Sequence, residues 1–527
     1  MRLWGRVEVI KDNFPALDEL IGKGPRRPKK SPPEMLDIKK LIEEHAIKPR
    51  GVIHIGANTA SELEEYLRMG FQKILYIEAN PELIPELKKK AVRYPGIVFV
   101  VHAAVTDVDG LIKLRVTSQN QSSSILALGK HREIYPSIKE VKQVEVPARR
   151  IDTLLGEHGH RPADYNFLNI DIQGAELLAL RGSLELLPFI DAINTEVNLE
   201  ELYQGCAMLS ELEDFLAAHN FNRAAMVTPW HHTWGDAFFV RKPIVTMANL
   251  GHNGNFANQL FQYLFLCLVA KKQGGVVQTP RWVGQELFGF NNPELIRSLP
   301  EWRESLDESA ADQSKLDANT GAKYFRDQIS DFHSTNFSGY FIGHTLDLLS
   351  EQDFIRKLFR FVPRFEELGQ QKLKLLRSKK RFIMAVHLRR GDYGYGFFYR
   401  TPCSWYERWM SENGLNPSEW IIYICSETPK KYRTRFAGYE TTYAADIGVN
   451  AKLAGYFDFY IMTQADYVLT ANSTYSFMAS MLNVTAQGFA RPSLREEKLI
   501  NFNPWNAAVL ERQILSAEEH ERLKKND

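Results

Sequence analysis

Two adjacent arginines just past a strand end are the residues of this sequence best suited to hold a diphosphate. They stand in His387-Leu-Arg-Arg-Gly-Asp-Tyr393, which follows the continuous apolar run Phe382-Ile-Met-Ala-Val386. That run reads as a buried strand leaving into a polar loop. A guanidinium is planar, always charged, and meets two phosphate oxygens at once, which a lysine ammonium does not. The plainer alternative is a surface loop with an internal Arg–Asp pair. Two other stretches of the same half favour a ligand. Asn249-Leu-Gly-His-Asn-Gly-Asn-Phe-Ala-Asn-Gln-Leu-Phe-Gln-Tyr263 is a glycine-spaced loop opening a helix, with backbone N–H groups free to face an anion. Residues 465–480 read as strand, polar turn and helix, with Ser473 or Thr474 placed to cap the helix and add hydroxyls.

The first half carries a different chemistry. Gly51-Val-Ile-His-Ile-Gly-Ala-Asn58 reads as an apolar strand ending in a glycine turn, residues 61–70 as a helix, and Lys73-Ile-Leu-Tyr-Ile-Glu78 as a second strand ending in an acid. A separation of about 20 residues between glycine turn and acid is how a doubly wound fold holds a ribose. Further strands are expected at 97–105, at 166–171 and at 190–196, so the expected fold class is α/β, a parallel sheet with helices on both faces and ligands beyond the carboxyl ends of the strands. Asp171 and Glu196 fall at those ends. Two last strands, 224–228 and 236–241, leave His231 and His232 in the turn between them. Acids at strand ends and histidines in a bordering turn are the groups that could act as a general base. Asp171, Glu196 and His231 with His232 are the candidates, a solvated hairpin being the plainer reading of the histidines. Their spacing does not establish a metal site.

The second half resembles glycosyltransferase family 11, the alpha-1,2-fucosyltransferases that use GDP-fucose. The stretch from Gly251 to Tyr263 looks like that family's Gly-x-x-Gly-Asn-Gln-Met-Phe-Gln-Tyr segment, with Ala257 where glycine is usual. His387 to Tyr393 is similar to its His-x-Arg-Arg-Gly-Asp-Tyr motif, and Asn472-Ser-Thr-Tyr-Ser476 to its Asn-Ser-Thr-Phe-Ser helix. Ser338-Gly-Tyr-Phe341 resembles another family segment, while Ser426-Glu427-Thr428 replaces Ser-Asp-Asp. The resemblance implies a two-lobed, GT-B-like fold with an inverting transfer that yields an alpha-fucoside. It puts Arg389 and Arg390 on the leaving diphosphate with Ser473 and Thr474, His387 toward the nucleotide, and Asp392 as the holder of the arginines. It sets Glu427, Asn472 and Ser476 in the same donor pocket, and Asn255, Asn258 and Gln259 where the loop meets fucose or acceptor.

The first half resembles the FkbM family of S-adenosylmethionine-dependent O-methyltransferases. Ile55-Gly-Ala-Asn-Thr59 looks like its glycine turn and Ile77-Glu-Ala-Asn-Pro81 like its Glu-Pro-Asn-Pro. Leu168-Asn-Ile-Asp-Ile-Gln-Gly-Ala-Glu176 looks like its Lys-Ile-Asp-x-Glu-Gly-Ala-Glu, with Asn169 in place of the lysine. The resemblance assigns Glu78, with Ala79 beside it, to the ribose of S-adenosylmethionine, and Gly56, Ala57 and Asn58 to its methionine portion.

At 527 residues the chain has room for about three folding units at roughly 150 residues each. The expected divisions are an N-terminal extension with a proline-rich basic linker over 1–34, a methyltransferase-like domain over 35–242 and a fucosyltransferase-like domain over 243–527. With only Lys242-Pro243 between them, the two domains are expected in a fixed relation. The polar run 301–321 is expected as a loop or exposed helix. A formal net charge of +1 lacks the footprint of a nucleic-acid binder. Four scattered cysteines, no signal peptide and no apolar stretch of spanning length predict a cytoplasmic, bacterial enzyme with at most peripheral membrane association. The expected activity is bifunctional: fucose from GDP-fucose to an oligosaccharide or lipid-linked glycan, and a methyl group from S-adenosylmethionine to a sugar hydroxyl. The alternative is one active transferase whose other half is a degenerate binding module.

Overall fold

The computed structural model describes residues 35–304, 333–436 and 438–525; the linker 22–33 and most of 301–321 lie outside the described residues. The chain divides between Lys242 and Pro243 into two compact units.

The first unit is built on β1 (Gly51–Ile55), β2 (Lys73–Glu78), β3 (Val98–His102), β7 (Phe167–Ile170), β8 (Ala192–Asn198), β9 (Phe221–Val227) and β10 (Trp234–Arg241), in the order β3-β2-β1-β7-β8-β10-β9. The pairs through β8 are parallel, and only β10 runs antiparallel to its neighbours β8 and β9. Apolar residues alternate between two cores, Ile53, Leu75, Leu168 and Ile193 on one face and Val52, Ile74, Phe167 and Ala192 on the other, as helices on both sides require. The single strand expected over 97–105 breaks at Ala103. Its end, β4 (Ala104–Val105), joins β5 (Gly110–Thr117) and β6 (Glu140–Arg149) in a small separate sheet.

The second unit holds two sheets. One comprises β11 (Ile244–Thr246), β12 (Val276–Gln278), β13 (Glu301–Arg303) and β14 (Thr335–Ser338), in the order β12-β11-β14-β13. Residues 301–303, expected in a loop or helix, therefore form an edge strand. The other sheet comprises β15 (Phe382–Leu388), β16 (Trp420–Ser426), β17 (Glu440–Thr442), β18 (Tyr467–Leu469), β19 (Gly488–Ser493) and β20 (Lys498–Asn501), in the order β17-β16-β15-β18-β19-β20. Successive residues of β15 serve opposite cores: Ile383 and Ala385 one, Met384, Val386 and Leu388 the other. The first of these cores also takes in Val245, Val277 and Phe337 of the four-stranded sheet, so one apolar mass grips both sheets. The four cysteines are free thiols, and no described helix is long and apolar enough to cross a membrane.

Candidate functional site

In the first unit the sheet register brings a row of functional residues to one edge. β1 and β7 pair Ile55 with Ile170, β7 and β8 pair Ile170 with Thr195, and β8 and β10 pair Glu196 with Asp236. Gly56, Asp171, Glu196 and Asp236 thus follow one another across four strands, with Glu78 at the end of β2. Gly56 is irreplaceable on two counts. Its φ is +83°, and a Cβ there would lie 1.8 Å from the Asp171 carbonyl oxygen. Asn58 and Ala60 also have positive φ, so the turn holds strained non-glycine backbone, as sites often do.

The turn and the acid of β2 are directly joined. The Asn58 N–H donates to Oε2 of Glu78 at 2.8 Å, and the Asn80 N–H donates to Oε1 at 2.7 Å. Burial raises the Glu78 carboxyl, and these N–H groups oppose the rise. A carboxylate has lone pairs to spare beyond two such bonds, which suits a ribose diol. Ala57 is buried, its N–H bound to the Ile77 carbonyl; the Ala79 carbonyl is 3.1 Å from Nε2 of His102.

Of the three candidate bases, two come together and one stands apart. Gln173 Nε2 lies 2.7 Å from Oδ1 of Asp171 and 2.6 Å from Oε2 of Glu196. Glu196 is buried while Asp171 remains exposed, so the pair has an inner and an open member. Burial raises both carboxyls against the bond from Gln173, Glu196 well above its ordinary value with further repulsion from Asp171, Glu176 and Asp236. Burial likewise pushes Glu176 and Asp236 up to about 7 each. No lysine or arginine forms an ion pair with any of these four acids among the described residues. His231, by contrast, places Nδ1 2.7 Å from Thr233 Oγ1 and stacks on His232, in the field of Glu200. The tight hairpin turns it to its own strand end and leaves the pair without it.

Sequence reasoning passed over Gln173, Tyr203, Glu176, Asp236 and His54. Glu176 Oε1 accepts from the N–H groups of Ile172 and Gly174 and so shapes the loop that presents Gln173. His54, kept uncharged by burial, is joined through Asn169 to Tyr66 and Asn194 beneath the acid row. The signal for Asp236 was present, since register alone sets it opposite Glu196. Among the described residues no group of three His, Cys, Asp or Glu side chains is arranged to hold a metal ion.

In the second unit Arg389 is clamped between two acids: Nη2 is 2.9 Å from Oδ2 of Asp392 and Nη1 is 2.6 Å from Oε1 of Glu427. Burial acts against its charge, but Glu427 and Asp392 outweigh that and hold it protonated. Arg390 behaves differently from the expectation. It is buried, its guanidinium donates to the carbonyls of Arg389 and Thr401, and it lies over the Tyr432 ring. Its bonds to main-chain oxygens brace the loop, while Arg389 is turned toward Asp392 and Glu427.

The Asn472 side chain is likewise engaged with main chain. Its Nδ2 donates to the carbonyls of Phe397 and Glu511, and its Oδ1 accepts from the Glu511 N–H, which ties three segments together. Ser476 is fully buried behind the helix start, its Oγ 2.8 Å from Nδ1 of His387. Burial, then Arg389 and Arg390, pull His387 down to about 3, leaving a neutral ring lodged against Ser476 and Tyr475.

What remains converges from both sheets. The Tyr393 ring lies under the Arg389 guanidinium at 5.5 Å, and its hydroxyl donates to the Asn472 carbonyl at 2.9 Å, beside the helix Thr474–Leu482 that Ser473 caps. Thr474 Oγ1 reaches Oδ1 of Asn258 at 2.8 Å, across to the helix Phe256–Gln273. Gly254, at φ +77°, would bring a Cβ within 2.6 Å of Asn258 Nδ2. Gln259 holds the loop from inside by donating to the carbonyls of Gly251 and Gly254. Asn255 stands at the helix start without capping it.

Residues 54–223 match the family model of the methyltransferase FkbM domain, so the first unit carries a methyltransferase domain. A comparison with curated proteins finds no match. Among solved structures the chain is similar to the fucosyltransferase NodZ from Bradyrhizobium, at 10% identity and a TM-score of 0.34, over 50% of this chain and 99% of that one. It is also similar to magnesium protoporphyrin IX methyltransferase (ChlM) from Synechocystis PCC 6803 with bound SAM, at 11% identity and a TM-score of 0.23, over 39% of this chain and 76% of that one.

Proposed function

We propose that the chain is a bifunctional transferase that builds an O-methylated fucoside on a glycan. The second unit transfers fucose from GDP-fucose to the acceptor, alpha-1,2 to galactose. The first then methylates a hydroxyl of the added sugar with S-adenosylmethionine, in the synthesis of a bacterial surface polysaccharide. The methyl half rests on the family match and on the Glu78–Asn58 bond, which makes the glycine turn and the ribose acid one preformed unit. The fucosyl half rests on one observation above all: Arg389, Tyr393, the cap of Ser473, Thr474 and Asn258 form a continuous chain of contacts that ends at the glycine loop.

In the fucosyl step the bond between the anomeric carbon and the diphosphate breaks with its electron pair on the leaving group, while the acceptor oxygen bonds to that carbon and gives up its proton to water. Arg389 and the N-terminus of the helix Thr474–Leu482 supply positive charge where negative charge develops. Asp392 and Glu427 keep the guanidinium in place beforehand. In the methyl step S-adenosylmethionine would supply a methyl group on a sulfonium, whose bond to sulfur would break with its electron pair left on the sulfur. Glu78 and the turn Gly56-Ala57-Asn58 bind and orient that cofactor, and the Asp171–Glu196 pair takes the hydroxyl proton as the oxygen bonds to the methyl carbon. Two units on one chain raise the effective concentration of the fucosylated product at the second site.

Mass spectrometry of a galactoside-terminated oligosaccharide, incubated with each donor alone and with both, tests the reading. A fucose shift with GDP-fucose alone and a further methyl shift only with both donors is the expected result. Methylation of the unfucosylated acceptor at the same rate overturns the order.

A further inference from the structure

Gln173 sits in the left-handed region, at φ +59°, immediately before Gly174 at φ +98°. A glutamine held there costs on the order of 1 kcal/mol of backbone strain, which the surroundings must enforce. They do so at both ends of the side chain. The buried Tyr203 hydroxyl donates to Oε1 at 2.6 Å, and the two N–H groups on Nε2 are directed one to Asp171 and one to Glu196. The Gln173 carbonyl is fixed as well, accepting from Ser124 Oγ at 2.8 Å. With Tyr203 donating to the oxygen end, both N–H groups of the amide face the carboxyls.

We propose that Gln173 is a positioning residue for methyl transfer: aimed by Tyr203, its amide binds one oxygen of Asp171 and one of Glu196, so that the two carboxyls share a single proton and Asp171 is left as the open base. The proposal rests on the methyl-transfer reading above. Burial decides the division of labour, since the inner carboxyl, Glu196, keeps the proton and the exposed one, Asp171, accepts the proton of the acceptor hydroxyl as its oxygen bonds to the methyl carbon. The pair returns to one proton by losing the other to water. The groups that face it are His54 from β1, Glu62 at the start of the helix Leu63–Met69, Glu78 from β2, Glu176 from the helix Glu176–Arg181, Asp236 from β10, and Tyr203. Burial lowers His54 toward its neutral form and the rest are acids or a phenol, so the Gln173 amide is the side chain that brings N–H donors to the open carboxyl.

The test uses the full chain and does not depend on turnover alone. An infrared titration follows the band of protonated buried carboxyls, calorimetry gives the affinity for S-adenosylmethionine, and the pH profile of methyl transfer is recorded beside them. In Gln173→Leu the carboxyl titration moves to higher pH by at least one unit, the acid limb of the rate profile moves with it, and cofactor affinity stays within about twofold. Tyr203→Phe shifts both in the same direction by less. Gln173→Glu, which keeps the shape and adds a like charge, also shifts both upward and serves if the leucine variant does not fold. An unchanged carboxyl titration in the Gln173 variants overturns the proposal, as does a rate that falls equally at every pH. A wild-type chain that binds S-adenosylmethionine yet methylates no fucosylated or unfucosylated glycan overturns the methyl-transfer reading itself.

Discussion

Thr474 Oγ1 donates a 2.8 Å hydrogen bond to Oδ1 of Asn258, a residue 216 positions earlier in the chain. It joins the start of the helix beside β18 to the glycine loop of the four-stranded sheet. Thr474→Val removes the donor at nearly constant volume. The bond's loss costs about 1 kcal/mol, which lowers the thermal midpoint by a few degrees at most. Fucosyl transfer falls by more than that, on the order of 10-fold, because Asn258 is no longer held in place; steady-state kinetics beside a melting curve separates the two effects.

Arg389→Lys is expected to lower fucosyl transfer about 100-fold while leaving methyl transfer unchanged. A lysine ammonium cannot reach Asp392 and Glu427 in a planar fork and still present two donors to a diphosphate. Parallel assays of the two transfers on one preparation check this. Wild-type fucosyl transfer in the variant removes the diphosphate role.

Glu78→Ala strips the Asn58 and Asn80 N–H groups of their acceptor and removes the carboxylate proposed to hold the ribose. Affinity for S-adenosylmethionine, measured by calorimetry, falls at least 10-fold, and fucosyl transfer is untouched. An unchanged affinity means the cofactor lies elsewhere.

Asp458, buried beneath β16, accepts from the Tyr423 hydroxyl at 2.8 Å, and burial pushes its carboxyl from the ordinary 3.8 up to about 8. Between those two values the folded chain keeps a proton that the unfolded chain has lost, so this group subtracts stability as pH rises from about 4 to about 8 and no further. Asp458→Asn does not titrate and keeps the acceptor oxygen. Its melting temperature relative to wild type therefore climbs across that window and levels off above it, which thermal unfolding over a pH series will reveal.

Much of this architecture could be read in advance because burial writes itself into composition. The apolar runs at 51–55, 73–78, 167–170 and 382–388 are strands covered on both faces, and the acids Glu78, Asp171 and Glu196 lie at or just past strand ends, where the carboxyl edge of a parallel sheet puts them. The small sheet of β4, β5 and β6 escaped notice, although Val144, Val146 and Ala148 alternate along β6 as a half-buried strand should. Side-chain direction was the harder matter. Arg389 and Arg390 are adjacent and chemically alike, yet one meets carboxylates at the surface and the other braces the Thr401 carbonyl in the interior. Nothing in the motif separates them, because the deciding partners lie downstream of it, Thr401 for Arg390 and Glu427 for Arg389. Gln173 was hidden in a similar way: its motif was legible, but its role depends on Tyr203, 30 positions away.

The single apolar mass that grips both sheets of the second unit limits how that unit can move. Rocking the sheets apart would expose Leu260, Phe337, Phe457, Phe477 and their neighbours to water, at about 25 cal/mol for each square ångström uncovered. A wide hinge is therefore closed to it. The polar loop that follows β15 lies outside that core; it carries Arg389 and Tyr393 and has Gly394 and Gly396 at positive φ. This half of the molecule is held as one frame, because the two sheets have an apolar core in common.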